Sequence, residues 1–190
     1  TYDLHDAYRK GEPIVAVTCY DYTFARLVDR AEVDLVLVGD SLGNVIQGHE
    51  TTLPVTLEDI GYHVRAVRRG CSHAHIMADM PFLSYQVGED EMIRNAGYLL
   101  QQGGAQSVKV EGGEALASRV RRLVEVGIPV CGHLGFTPQS VHHLGGHRVQ
   151  GKTVDQETQL LRDAKALEEA GAFMIVLEMI PAKIASKVTE

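Results

Sequence analysis

The sequence has few cysteines, no long apolar run and a deficit of basic residues. Its three cysteines, Cys19, Cys71 and Cys131, are odd in number and far apart, so neither a disulfide framework nor a cysteine metal site is predicted. No apolar stretch approaches the roughly 20 residues that a membrane-spanning helix requires. These absences favour a protein of the reducing cytoplasm without a membrane partner.

The shortage of positive charge bears on possible partners. The 190 residues carry 18 basic and 25 acidic side chains, a formal net charge of −7. Binding to nucleic acid needs a basic surface to neutralise phosphates, so no nucleic-acid partner is expected. The length suits one domain over residues 1–190, and the 45% hydrophobic fraction is ordinary for a globular protein.

Short apolar segments alternate with longer amphipathic segments along the chain. Branched apolar runs predict strands at about 14–18, 33–39, 75–79, 106–111, 128–133 and 173–178. Helices are predicted at about 23–31, 56–70, 89–102, 113–126 and 155–170, with a last one opening at Pro181. This alternation predicts an α/β fold, a parallel sheet with crossover helices.

The number of β/α units leaves two architectures open. About six units are visible, whereas a closed (β/α)₈ TIM barrel typically needs about 250 residues. Either the sheet is open, or the chain ends before a barrel closes. Residues 185–190 stop inside a helix-like pattern. We therefore favour a (β/α)₈ barrel whose last units are missing from this chain.

Polar residues stand at the ends of the predicted strands. They are Asp40 and Ser41, Asp79, Lys109 and Glu111, His133, and Glu178. Ligands of parallel α/β folds bind at the carboxyl ends of the strands, so these side chains are expected to converge on one mouth.

The acidic members of this set predict a metal site. Three carboxylates facing one small space, those of Asp40, Asp79 and Glu111, would repel each other unless a cation joins them. An all-oxygen set prefers a hard ion such as Mg²⁺ or Mn²⁺. A 2-oxo acid could chelate this ion while Lys109 offsets its negative charge. Glu178 could then take the proton next to the carbonyl group.

Several of these residues could have a structural role instead of a functional one. Lys109 and Glu111 lie on one face of their strand and could form a structural ion pair. Glu178 could be a surface or capping carboxylate. His133 could be a satisfied structural histidine, or it could contact substrate or position Glu178. Segment 146–153 has the spacing of a phosphate-binding loop, but no buried strand precedes it, so a mobile loop over the mouth is favoured.

Motifs that run in order over nearly the whole chain resemble the ketopantoate hydroxymethyltransferase family. They are Thr18-Cys-Tyr-Asp-Tyr22, Val38-Gly-Asp-Ser-Leu-Gly43, Gln47-Gly-His, Leu53-Pro-Val-Thr56, Ala78-Asp-Met-Pro-Phe82, Val108-Lys-Val-Glu-Gly-Gly113, Val130-Cys-Gly-His-Leu-Gly135, Thr137-Pro-Gln-Ser140, Val149-Gln-Gly151 and Val176-Leu-Glu178. Jointly they are highly specific. The family's later glycine-rich strand, which lies beyond the position of Glu190, does not occur in this sequence.

The resemblance implies a (β/α)₈ barrel of the phosphoenolpyruvate/pyruvate type that requires Mg²⁺. Such an enzyme transfers a hydroxymethyl group from 5,10-methylenetetrahydrofolate to 3-methyl-2-oxobutanoate, giving 2-dehydropantoate in pantothenate biosynthesis. It also implies a large homo-oligomer, commonly a decamer. An oxo-acid lyase or mutase of the same barrel superfamily is the alternative.

The resemblance also implies roles for individual residues. Asp40 and Asp79 would hold the metal, and Glu111 would complete the set directly or through water. The oxo acid would contact Asp40, Ser41, Asp79 and Lys109. Glu178 would be the proton acceptor, and His133 an accessory residue.

Overall fold

The computed structural model describes residues 1–190. Its strands are β1 (Ala16–Thr18), β2 (Leu35–Val38), β3 (His75–Asp79), β4 (Ser107–Glu111), β5 (Val130–Gly135) and β6 (Met174–Glu178). Its α-helices are α1 (Tyr2–Lys10), α2 (Tyr22–Arg30), α3 (Leu42–Val45), α4 (Leu57–Gly70), α5 (Glu89–Tyr98), α6 (Ala117–Glu125), α7 (Val154–Glu169) and α8 (Ala182–Thr189).

The six strands form one sheet in which the spatial order is the chain order, β1 to β6. The pairs β1–β2, β2–β3 and β5–β6 are parallel, and parallel neighbours require the crossover helices found between them. The predicted α/β fold with a parallel sheet is therefore confirmed. Closure of the sheet into an eight-stranded barrel is not confirmed.

The chain divides into two compact units, of which the first is Thr1–Val108. Helix α4 begins in a capping box: the Thr56 hydroxyl accepts the Asp59 N–H at 3.1 Å, and the Asp59 carboxylate accepts the Thr56 N–H at 2.9 Å. The helix then buries Ile60, Val64 and Val67. All five residues of β3 are buried as well, so the polar end of this strand is held by a close-packed core.

The second unit is Lys109–Glu190. Helix α7 begins after Thr153, whose hydroxyl accepts the Gln156 N–H at 3.3 Å. It buries Leu160, Ala164 and Leu167. Strand β6 is the last in the sheet order, and all five of its residues are partly exposed. Within these 190 residues it pairs with a strand on one side only, β5.

Most predicted elements occur within two residues of their expected bounds, and the differences are local. Helix α1 was not predicted; Leu4 is its one buried residue, so its apolar pattern is weak. The predicted loop 42–55 contains the short helix α3. The predicted helix 89–102 is α-helical only to Tyr98 and continues as a π-helical turn, Leu99–Gly103. None of the helices is both long and apolar enough to cross a bilayer.

Candidate active site

In the first unit, the ends of β2 and β3 bring Asp40 and Asp79 together. Val38 of β2 is paired with Ala78 of β3, which places the residues that follow at the same edge of the sheet. The Asp40 N–H donates to Asp79 Oδ2 at 2.9 Å, and both side chains are only 3% exposed. Buried carboxylates are costly unless a partner compensates their charge.

Ser41 follows Asp40 and is held by a tyrosine from the end of β1. The Tyr20 hydroxyl lies 2.7 Å from Ser41 Oγ. The backbone carbonyl of Tyr20 accepts a hydrogen bond from Nδ1 of His63 at 2.6 Å. Tyr20 therefore fixes the orientation of the serine hydroxyl. It was not predicted as a site residue, although it lies in one of the motifs that carried the family resemblance.

In the second unit, three of the predicted residues surround the imidazole of a fourth, His133. Lys109 Nζ lies 3.2 Å from Nδ1 of His133, and Glu111 Oε1 lies 3.5 Å from the same nitrogen. On the other side of the ring, Nε2 lies 3.2 Å from Glu178 Oε2. The Gln139 N–H donates to Glu111 Oε2 at 3.0 Å. Lys109 and Glu111 therefore both lie against His133, an arrangement that suits a structural role as well as a role in the reaction.

The electrostatics of this network act on His133. Burial lowers the pKa of its imidazole, and Lys109 repels the protonated form. The oxygens of Glu111 and Glu178 outweigh both effects, so the pKa is raised above its ordinary value. The imidazole lies between the buried carboxylate of Glu111 and that of Glu178, whose side chain is 39% exposed and accessible to a small molecule.

The position of Glu178 is fixed through its backbone. Its carbonyl accepts the N–H of buried Phe136 at 2.8 Å. Gly135 has φ +92°, and a Cβ there would lie 2.2 Å from the Glu178 carbonyl oxygen. Met179, the next residue, has φ +48°, which is unusual for a side chain of this size. Such strain persists where the surrounding structure over-determines the backbone.

The structure contains no group of three or more histidine, cysteine or acidic side chains arranged to hold a metal ion. In the first unit it contains two buried aspartates, Asp40 and Asp79, joined by the hydrogen bond from the Asp40 backbone N–H. Magnesium in enzymes is commonly held by one or two carboxylates, with water and substrate oxygens completing its shell. The donor set of this pair therefore fits such an ion.

Comparison with known proteins decides the family. The family model described as ketopantoate hydroxymethyltransferase matches residues 1–190. The chain belongs to the ketopantoate hydroxymethyltransferase family. This confirms the predicted family and the predicted class of enzyme.

Relatives within the ketopantoate hydroxymethyltransferase family are highly similar. A 3-methyl-2-oxobutanoate hydroxymethyltransferase from Dechloromonas aromatica (strain RCB) is 58% identical over 187 residues, which are 98% of this chain and 68% of the relative. The enzyme of the same name from Syntrophotalea carbinolica (strain DSM 2380 / NBRC 103641 / GraBd1) is 54% identical over 188 residues, covering 99% of this chain and 70% of the relative. The chain thus spans about two thirds of their length.

Solved structures similar to this chain come from more distant proteins. A 2,3-dimethylmalate lyase of the PEP mutase/isocitrate lyase superfamily has a TM-score of 0.70 at 17% identity, with coverage of 98% of this chain and 65% of the lyase. A phosphonopyruvate hydrolase in complex with oxalate and Mg²⁺ has a TM-score of 0.66 at 15% identity, covering 93% of this chain and 62% of the hydrolase. At these identities the likeness concerns the fold alone.

Proposed function

We propose that this chain carries out the hydroxymethyl transfer of its family. The donor is 5,10-methylenetetrahydrofolate, the acceptor is 3-methyl-2-oxobutanoate, and the product is 2-dehydropantoate, an intermediate of pantothenate biosynthesis. The observation that carries this proposal is the buried Asp40–Asp79 pair, in a chain that is 58% identical to a 3-methyl-2-oxobutanoate hydroxymethyltransferase.

Asp40 and Asp79 are the proposed ligands of a Mg²⁺ ion. Both carboxylates are buried, and a divalent cation would compensate their charge. Glu111 is the proposed third ligand, directly or through water, as the family resemblance implies. When bound, the ion would act as a Lewis acid that stabilises negative charge on the carbonyl oxygen of the oxo acid.

Asp40, Ser41, Asp79 and Lys109 are the proposed contacts of the oxo acid. The Ser41 hydroxyl is oriented by Tyr20 at 2.7 Å, so it can direct a hydrogen bond without paying much ordering entropy. The buried ammonium group of Lys109 supplies positive charge for the substrate carboxylate.

Glu178 is the proposed general base that removes the proton from C3 of the oxo acid. Its Oε2 lies 3.2 Å from Nε2 of His133, within ion-pair distance. A carboxylate held at this place can accept the proton of a substrate bound beside it. The carbon that has lost this proton would then form a bond to the methylene carbon of the folate. The two bonds from that methylene carbon to the folate nitrogens break, a water molecule supplies the hydroxyl group, and tetrahydrofolate leaves with the proton from C3 and one proton from the water.

Proton exchange tests the proposal without the folate. The enzyme with Mg²⁺ should exchange the C3 proton of 3-methyl-2-oxobutanoate for deuterium in D₂O, which ¹H NMR can follow. Removal of the metal by a chelator should stop this exchange, and its restoration by added Mg²⁺ is the control. A wild-type enzyme that shows no metal-dependent exchange would contradict the proposed reaction.

The remaining proposals concern architecture and setting. We propose that the six β/α units belong to a (β/α)₈ barrel of the phosphoenolpyruvate/pyruvate type, as the similar solved folds support. From the family resemblance we also propose that the protein is cytoplasmic and forms a homo-oligomer, a decamer as in family members. Sedimentation velocity of the purified protein would measure the assembly directly.

A further inference from the structure

A cavity of about 620 Å³ lies within the unit Lys109–Glu190, where segment 144–156 faces Met179. This volume falls in the range of sites that bind small organic ligands. Met179 directly follows Glu178, so one wall of the cavity adjoins the proposed general base. None of the residues assigned above to the metal or the oxo acid lines this cavity.

The cavity wall is anchored to the same backbone that holds Glu178. The Gln150 N–H donates to the Met179 carbonyl at 2.9 Å. The ring of His147, which lines the cavity, packs against buried Phe136 with ring centroids 4.8 Å apart. The segment is therefore tied to the end of β6 through Met179 and to the end of β5 through Phe136. A ligand bound there would be held at a set place relative to Glu178.

The charge of the lining is unlike that of the whole chain. Arg148 and Lys152 line the cavity, and no lining residue is acidic. Segment 141–154 has no aspartate or glutamate, in a chain with a formal net charge of −7. Neither Arg148 nor Lys152 forms an ion pair in the structure. The nearest acidic residues along the chain are Asp155 and Glu157 in the first turn of α7, and Glu157 is paired with Lys187.

We propose that this cavity binds the folate co-substrate. Its two glutamate carboxylates would pair with Arg148 and Lys152, and its flat aminobenzoyl group would lie against His147 and Met179. Two unpaired cations suit two carboxylates, and a sulfur beside an aromatic ring suits a flat aromatic ligand. This inference rests on the proposed function, because it assumes that a folate is the one-carbon donor.

The test compares two ligands that differ only in the glutamate tail. Equilibrium binding of tetrahydrofolate and of tetrahydropteroate, which lacks the glutamate, is measured by fluorescence for the wild type and for R148Q/K152Q. The control variant is K165Q, which removes an exposed lysine on α7 outside the cavity. Exchange of the C3 proton by the wild type is measured in parallel, because it reports on the proposed reaction independently of the folate.

The wild type and K165Q should bind tetrahydrofolate about tenfold or more tightly than tetrahydropteroate, as two charge-assisted contacts would give. In R148Q/K152Q the ratio should fall to about 1–2, because the tail then has no cation to contact. A ratio that stays at the wild-type value in the double variant, or no preference in the wild type, overturns the assignment. If the C3 proton exchanges but the affinity ratios differ from these expectations, only the folate site is wrong and the proposed reaction stands. If exchange is absent, the proposed function fails.

Discussion

Replacement of Gly135 by alanine should displace Glu178, and the structure allows the cost to be worked out. The new Cβ would lie 2.2 Å from the Glu178 carbonyl oxygen. That oxygen must retreat by about 1 Å to restore ordinary contact. The retreat breaks or stretches the 2.8 Å hydrogen bond from the N–H of buried Phe136. A buried donor without its partner costs about 1–3 kcal/mol.

A second glycine provides a matched control for this variant. Gly146 has φ +96°, close to the +92° of Gly135, but a Cβ there would meet nothing within 4 Å. Alanine at either position costs about 1–2 kcal/mol for the left-handed backbone. We therefore expect G146A to lose about 1–2 kcal/mol of unfolding free energy and G135A about 2–5 kcal/mol.

Urea unfolding followed by circular dichroism measures the two costs, and proton exchange at C3 measures the effect on the site. A misplacement of about 1 Å in a catalytic group lowers the rate by about 10²-fold. We expect that loss in G135A and a change of less than about threefold in G146A. Equal destabilisation of the two variants, or wild-type exchange in G135A, would refute the steric reasoning.

Three further predictions concern single side chains. Both D79N and D79A should abolish Mg²⁺-dependent C3 exchange. Only D79A should also lose about 1–3 kcal/mol of unfolding free energy in urea, because asparagine can still accept the Asp40 N–H. Equal stability of the two variants would contradict this. E178Q should keep its affinity for Mg²⁺ in a calorimetric titration while C3 exchange falls by at least about 10²-fold; exchange at the wild-type rate would remove Glu178 from its role. Burial lowers the pKa of His75 from 6.5 to about 4, so between pH 6.5 and pH 4 the unfolded chain binds a proton that the folded chain does not. Stability should therefore decrease as the pH falls through this range, by about 1–2 kcal/mol after solvent screening. The variant H75N should lose this part of the pH dependence in urea unfolding at pH 7 and pH 4.5, and an unchanged dependence would show that another group is responsible.

The sequence was most informative where a residue's environment is set locally. Strand β3 was predicted with its observed bounds, and the capping box placed the start of α4. The proximity of Asp40 to Asp79 followed from the rule that parallel strands end at one edge, and their hydrogen bond agrees with it. The metal, substrate and catalytic roles of these and the other predicted residues stay predictions.

Other features depend on contacts between segments distant in the chain, which the spacing of residues does not encode. The hydroxyl of Tyr20 meets Ser41 across 21 positions, and the Gln139 N–H meets Glu111 across 28 positions. Segment 146–153 has the spacing of a phosphate-binding loop, but the sequence predicts no strand before it, and turns precede it in the structure. Its anchoring to Met179, and the cavity that results, could be seen only in three dimensions.

The exposed edge of β6 has a consequence for handling these 190 residues on their own. Its first four residues, Met174 to Leu177, are all apolar and half-buried, with no lysine or proline among them. An unprotected edge of this kind is a template for pairing with another chain. Preparations of these 190 residues alone are therefore expected to aggregate as their concentration rises. A lysine at Ile175 should delay the onset of turbidity.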